Sequence, residues 1–224
     1  MTSTHFNAQA ASGYAERPRR QVPGLESLHV MTSMLLGECV PPEGRVLVLG
    51  AGGGLELKAL MAAHDEWRFD GVDPSPDMLA LARQIVGPSD RVMLHEGYVE
   101  MAPEGPFDGA VCLLTFHFIA REQRLETLRQ LRRRMRPGAP LVIAHISFSQ
   151  DEPAWSQWIA RHAGYSAGAT ASGAQRDNAL AAMGQHLTIL APEEEEALLA
   201  EAGFNGISLF YAALSFRGWV AYAS

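Results

Sequence analysis

The chain reads as an α/β protein built on a doubly wound, mostly parallel seven-stranded sheet closed by a C-terminal antiparallel hairpin. Three observations predict this. Short apolar runs alternate with amphipathic stretches of helical spacing, the pattern of parallel strands covered on both faces. The first of these runs ends in a glycine-rich turn that leads directly into a helix. The last two runs are joined by Leu214-Ser215 alone, too short a link for a crossover, so that pair must be antiparallel.

The elements follow in order. Residues 1–20 are polar and small, an arm with Arg17, Arg19 and Arg20 near its end. Val22-Pro23-Gly24 is a turn, and Leu25 to Val40 then carries Leu28, Met31, Leu35, Leu36 and Cys39 at helical spacing. Pro41-Pro42-Glu43-Gly44 stops that helix before a first strand, Val46 to Leu49, whose unbroken apolar run suits burial on both faces. A helix from Leu55 presents Leu57, Leu60 and Met61, and a second strand runs from Trp67 to Asp73. Met78, Leu79, Leu81, Ala82 and Ile85 mark the next helix. Arg91 to His95 and Phe107 to Leu114 are the third and fourth strands. Glu122 to Met135 is a helix ended by Arg136-Pro137-Gly138, and Leu141 to Ile146 is the fifth strand. Helix Glu193 to Ala202 stops at Gly203, before strands Ile207 to Ala213 and Phe216 to Tyr222. Arg132, Arg133, Arg134 and Arg136 read as a solvated, dipole-offsetting helix end, and Glu193 to Glu196 as its acidic counterpart at a helix start.

Composition narrows the function. With 224 residues, 47% hydrophobic and 19% charged, the chain has the apolar mass for one ordinary domain. Its formal net charge of −7 argues against sequence-independent nucleic-acid binding. Cys39 and Cys112 lie in apolar runs, which predicts buried, reduced thiols. The eight histidines include no closely spaced pair, so no metal site is indicated. No apolar run reaches membrane-spanning length and the N-terminus lacks a signal-peptide core, so a cytoplasmic location is expected.

The chemistry gathers at Gly50-Ala51-Gly52-Gly53-Gly54. A strand entering a helix through glycines brings backbone close to a ligand. The spacing is G-x-G-x-G, and Leu55 stands where the dinucleotide fingerprint needs Gly or Ala. Asp73 follows 23 positions after Gly50 (73 − 50), at the end of the second strand, where an acid accepts both hydroxyls of a ribose. Asp73-Pro74-Ser75-Pro76 also reads as a helix start, so a capping role for Asp73 stays open. Together the two signals favour an adenosine-type ligand.

Further pieces complete a pattern: Val22-Pro23-Gly24, Ser75-Pro76, Phe116-His117-Phe118, Pro137-Gly138, Ser147-Phe148, Gly164-Tyr165-Ser166 and Ala202-Gly203-Phe204. On these the chain resembles the carboxy-S-adenosylmethionine synthase family of class I S-adenosylmethionine (SAM) methyltransferases, also described as tRNA uridine-5-oxyacetic-acid methyltransferase-like. The likeness runs from about Phe6 to the C-terminus, with a gapped stretch near 166–190. It implies the Rossmann-like methyltransferase fold. It also implies residues 1–44 as an N-terminal arm and helix covering the cofactor site, and residues 45–224 as the SAM-binding domain with a helical insert around 150–190. SAM is then the cofactor and S-adenosyl-L-homocysteine (SAH) the product.

The cofactor contacts implied are Gly50, Ala51, Gly52, Gly54, Asp73, Pro74, Met78, Gly97, Tyr98, Val99, Leu114 and Thr115. Met78 is read as lying under the adenosine or in the core, and Tyr98 as stacking on adenine or as an ordinary half-buried tyrosine. The catalytic candidates are His117, His145 and Arg176. His117 is a base or acceptor-orienting group or a satisfied structural histidine, and His145 carries the same alternatives. Arg176 matches the arginine that holds the extra carboxylate of carboxy-SAM, and Tyr14 and Tyr165 join it as candidates to close over an acceptor.

The chain departs from the family at several ligand positions. Leu25 replaces a cofactor-facing tyrosine, Val48 an acid of the first strand, Tyr98 the acid that meets adenine, Leu113 an asparagine and His145 a glutamate. The expected site is therefore more apolar than the family's. The expected reaction is methyl transfer from SAM to a small-molecule acceptor. The sulfonium already makes the methyl group electrophilic, so alignment and water exclusion are the main demands, with a base needed only for an acceptor that loses a proton. The alternatives are a carboxy-SAM synthase-like enzyme acting on SAM and prephenate, or a non-catalytic SAM- or nucleotide-binding protein. No membrane partner is expected, nucleic acid is disfavoured, and a homodimer stays open.

Overall fold

The computed structural model describes residues 16–168 and 187–224. Its one sheet has seven strands: β1 (Arg45–Leu49), β2 (Arg68–Asp73), β3 (Val92–Glu96), β4 (Gly109–Leu113), β5 (Pro140–Ile146), β6 (Phe204–Ala213) and β7 (Phe216–Ala223). Their order is β3-β2-β1-β4-β5-β7-β6, with β1 to β5 parallel and β7 antiparallel to both β5 and β6. This is the doubly wound sheet with a closing hairpin that the sequence predicts.

The period-2 alternation of the strands divides the core. Val46, Val48, Val111, Leu113, Val142 and Ala144 face one side, where they pack with Leu28 and Leu36 of α2 (Leu25–Gly37) and with Leu57 and Leu60 of α3 (Leu55–Ala63). Leu47, Leu49, Ala110, Cys112, Leu141 and Ile143 face the other side, against Leu128 and Leu131 of α5 (Arg121–Arg133) and Leu199 of α7 (Pro192–Glu201). The remaining helices are α1 (Glu16–Gln21), α4 (Pro76–Val86) and α6 (Ala154–Ala167). The first turn of α4 is capped by Ser75, whose Oγ accepts from the Met78 amide at 3.3 Å. Ser75 and not Asp73 is therefore the cap.

Several expectations need correction. Cys39 is exposed, because α2 ends at Gly37 and the thiol falls beyond the helix face that packs on the sheet; Cys112 is buried as expected. Arg134 is buried rather than solvated, its guanidinium donating to the carbonyls of Gln130 (3.0 Å), Glu100 (3.3 Å) and Ala102 (3.4 Å). Glu195 is also buried, paired with the fully buried Arg124. Strand β6 begins at Phe204, ahead of Ile207, because register shifts at Asn205/Ser208 and Leu209/Tyr211 break its alternation.

Candidate active site

The C-terminal ends of β1, β2, β3 and β4 lie along one edge of the sheet, where open α/β sheets collect ligands. The glycine turn fills the first position. Gly50, Gly52 and Gly54 have φ of +75°, +47° and +80°, which a side chain would strain. At Gly50 a Cβ would also stand 2.0 Å from Thr115 Oγ1, so the turn and the loop after β4 touch here. The turn is tied to β2 by the Gly50 and Ala51 amides, which donate to the Val72 carbonyl at 2.8 and 3.0 Å.

Asp73 organises the edge. Its Oδ2 accepts from the Gly52 amide and its Oδ1 from the Ser75 amide, each at 2.9 Å. It is 9% exposed, and burial raises its carboxyl above the ordinary range against the opposing pull of those two amides. A carboxylate has about four acceptor positions, so two are left for a ligand. The Asp73 carbonyl accepts from the Gly97 amide at 3.0 Å, and this brings Tyr98 to the same edge. Tyr98 is 60% exposed, not half-buried, while Val99 behind it is buried in the core. Pro74 is exposed and Met78 is buried at 2% in α4.

After β4 the backbone turns sharply. Leu114 has φ +57°, a left-handed conformation that costs a leucine about 1–2 kcal/mol. It is held by its backbone amide, which donates a hydrogen bond to the Ala144 carbonyl at 2.6 Å. The turn delivers Thr115, whose Oγ1 donates to the Leu113 carbonyl at 3.0 Å. His117 follows, 5% exposed, with Nδ1 accepting from the Ile146 amide at 3.2 Å. That bond makes the ring a neutral imidazole with its proton on Nε2, a donor rather than a base. Burial, with the positive field of His145, Arg124 and His162, holds its pKa well below the usual histidine value.

His145 lies elsewhere. It points into the core from β5, 1% exposed, between the rings of Phe116 and Trp219. Its Nε2 is 2.9 Å from Glu195 Oε1 but out of line for a hydrogen bond. Burial pushes the Glu195 carboxyl up, yet His145 and Arg124 outweigh this and hold it below the usual range. Arg124 pairs with Glu195 and also donates to the Thr188 carbonyl, which pins the chain at 188 over α5. The role expected of His145 is therefore corrected to a core one, since enclosure leaves no approach for an acceptor. Arg176 and Tyr14 lie outside the described residues.

One residue at this edge was not anticipated. Glu56, second in α3, is 7% exposed, and burial first, then Asp73, raises its carboxyl to about 8. Its sequence signal is spacing: Glu56 lies four residues before the buried Leu60, on one helix face. No metal-binding cluster forms among the described residues, and no described helix is long and apolar enough to cross a membrane.

A glycine turn, the two buried carboxyls Asp73 and Glu56 and the exposed ring of Tyr98 thus stand on one parallel-sheet edge. The set fits SAM, because Asp73 keeps acceptor positions for a ribose and no described lysine, arginine or histidine forms a salt bridge with either carboxyl, while SAM brings positive charge of its own. Residues 46–138 match the family described as methyltransferase domain. The chain is similar to the carboxy-S-adenosyl-L-methionine synthase of Chromohalobacter salexigens, 25% identical over 97% of this chain and 82% of that protein. Among solved structures it superposes on a SAM-dependent methyltransferase from Aquifex aeolicus with a TM-score of 0.66, at 16% identity, covering 98% of this chain and 100% of that one. It also superposes on human N-acetylserotonin methyltransferase in complex with SAM, at a TM-score of 0.62 and 14% identity, covering 100% of this chain and 60% of that one.

Proposed function

We propose that the protein transfers the methyl group of SAM to a small-molecule acceptor, with SAH as product. The observation that carries this reading is the edge formed by Gly50–Gly54, Asp73 and Thr115, joined by direct backbone and side-chain contacts. In this reading Asp73 receives the ribose hydroxyls, Tyr98 stacks on adenine, and the amides of the glycine turn meet the amino-acid part of the cofactor. Helix α2 packs on the same sheet face as α3, which supports a reading in which the described residues 16–44 cover the site. The Nε2–H of His117 orients an acceptor that presents a lone pair, and no step uses His117 as a base.

A second reading is carboxy-SAM synthesis, favoured by a likeness that spans nearly the whole chain. Against it stand Leu25 and Leu113, both buried apolar side chains at positions where the resembling family carries polar ones. Incubation with SAM and pools of small acceptors, reading SAH, tests the proposal. Turnover with at least one pool is expected, and its absence in every pool would overturn methyl transfer. Conversion of SAM and prephenate to carboxy-SAM would establish the second reading instead.

A further inference from the structure

Arg45, Arg121, Arg124 and Arg136 each pair with a carboxylate. Arg161 of α6 and Arg217 of β7 form no ion pair among the described residues, yet both are drawn to one ring. Their guanidinium carbons lie 4.5 and 5.4 Å from the centre of the Trp158 indole, which is half-buried against the core. Two like charges gathered at one ring repel each other, and no described acid offsets them. Arg217 is also fixed in place. Its Nη1 donates to the carbonyls of Leu214 at 2.6 Å and Phe216 at 2.7 Å, which leaves Nε and Nη2 for another acceptor. Burial lowers the pKa of this guanidinium, and no carboxylate acts to raise it.

The fold sets this pair beside the candidate site. Helix α6 docks on the closing hairpin, where His162 Nδ1 and Ser215 Oγ share a hydrogen bond at 2.6 Å. Arg217 pairs with His145 and Phe216 with Ile146 at the C-terminal end of β5, and the Ile146 amide is the one that holds His117. In the order β1-β4-β5-β7 the glycine turn therefore lies on one side of His117 and the two arginines on the other. Tyr165, four residues after Arg161 on the same helix face, adds a ring that is 40% exposed.

We propose that Arg161 and Arg217, held together by Trp158, form an acceptor subsite for the carboxylate of a small aromatic acid. This rests on the reading of the edge as a SAM methyltransferase site. A guanidinium fork matches a carboxylate, and the anion supplies the charge that the protein leaves out. Tyr165 gives the acceptor's ring an aromatic neighbour. A chain of net charge −7 repels anions at long range, so a local cation pair is what selects an acidic acceptor. These arginines are distinct from Arg176, which the family resemblance matches to the carboxylate of carboxy-SAM. Neither enters the methyl-transfer step; they place the acceptor.

The test titrates the full chain with benzoate and with benzamide, its neutral counterpart, and follows the four tryptophan indole N–H signals by NMR. Benzoate should move the Trp158 signal saturably, and benzamide should not. Arg161→Gln and Arg217→Gln should each weaken benzoate by about tenfold or more, the loss of a charge-assisted hydrogen bond. Trp67 and Trp219 are buried, so their unchanged signals show that each variant is folded. No response of Trp158 to benzoate would overturn the subsite, as would an equal response to benzamide or benzoate affinity unchanged in both variants. Acceptors that turn over with SAM should carry a carboxylate, and turnover of neutral acceptors alone would overturn the proposed selectivity. SAH is titrated on the same sample. SAH binding without a benzoate response would overturn this inference alone, whereas failure to bind SAH would overturn the reading of the site on which it rests.

Discussion

Asp73→Ala is the most informative single substitution in the fold. The carboxylate holds two amides at 2.9 Å, one on the glycine turn and one at the start of α4. Hydrogen bonds to a charged group contribute about 1.5–3 kcal/mol each, so removing both costs about 3–6 kcal/mol. Two effects pull toward the lower end. Burial of the ionised carboxyl is unfavourable, as its raised pKa shows, and alanine escapes that cost. Water also enters the vacated space and satisfies part of the two amides. A loss of about 3 kcal/mol lowers the Tm of a domain this size by roughly 6–12 °C. Asp73→Asn should fall between, since its amide keeps one acceptor and turns N–H groups toward the second backbone donor. Thermal unfolding by circular dichroism reads both. A Tm within about 2 °C of wild type for Asp73→Ala would refute the idea that this carboxylate holds the turn.

Other expectations follow from the same geometry. Gly50→Ala places a methyl 2.0 Å from Thr115 Oγ1 on backbone of φ +75°, and should cost at least about 3 kcal/mol in urea unfolding. Gly138→Ala, with φ +79° but nothing within 4 Å, should cost only about 1 kcal/mol. Tyr98→Ala should weaken SAH by about 0.5–1.5 kcal/mol in titration without moving Tm, since the ring is 60% exposed. Glu195→Ala strands Arg124 without its acid and should lose about 3–5 kcal/mol. Because Glu195's folded pKa is lowered, its contribution is present above the unfolded value of 4.5 and is lost as pH falls through the folded one, so acid unfolding should be blunted in Glu195→Gln. Glu56 has the opposite sign. Its pKa rises from 4.5 to about 8, so wild-type stability should decline across that window and level off above it, a decline absent in Glu56→Gln.

The sheet was legible in the sequence because parallel strands buried on both faces need unbroken apolar runs. Val46 to Leu49 and Leu141 to Ile146 have that form, and glycines or prolines bound them. The glycine turn and Asp73 were legible because ligand approach and ribose binding restrict residue type. Strand β6 was legible only in part, since an edge strand with two register shifts loses the alternation that marks it. The buried charges were the larger omission. Arg124 lies four residues before Leu128, Glu195 four before Leu199 and Glu56 four before Leu60, each pair on one buried face. Reading charge as solvent exposure concealed them. Helix periodicity alone places them inside, whereas their partners lie on other elements and come together only in the fold. The neutral state of His117 was likewise out of reach, because it depends on an amide of β5 29 residues away.

The cofactor is expected to lie across the edge made by the glycine turn, Asp73 and Tyr98. A crystal structure of the protein with SAH tests this placement, with the ribose hydroxyls on Asp73 and the adenine against Tyr98 as the expected result. SAH seated instead in the groove between α2 and α3, lined by His29, Val30, Ser33, Met34, Ala59 and Ala62, with the turn left free, would contradict it.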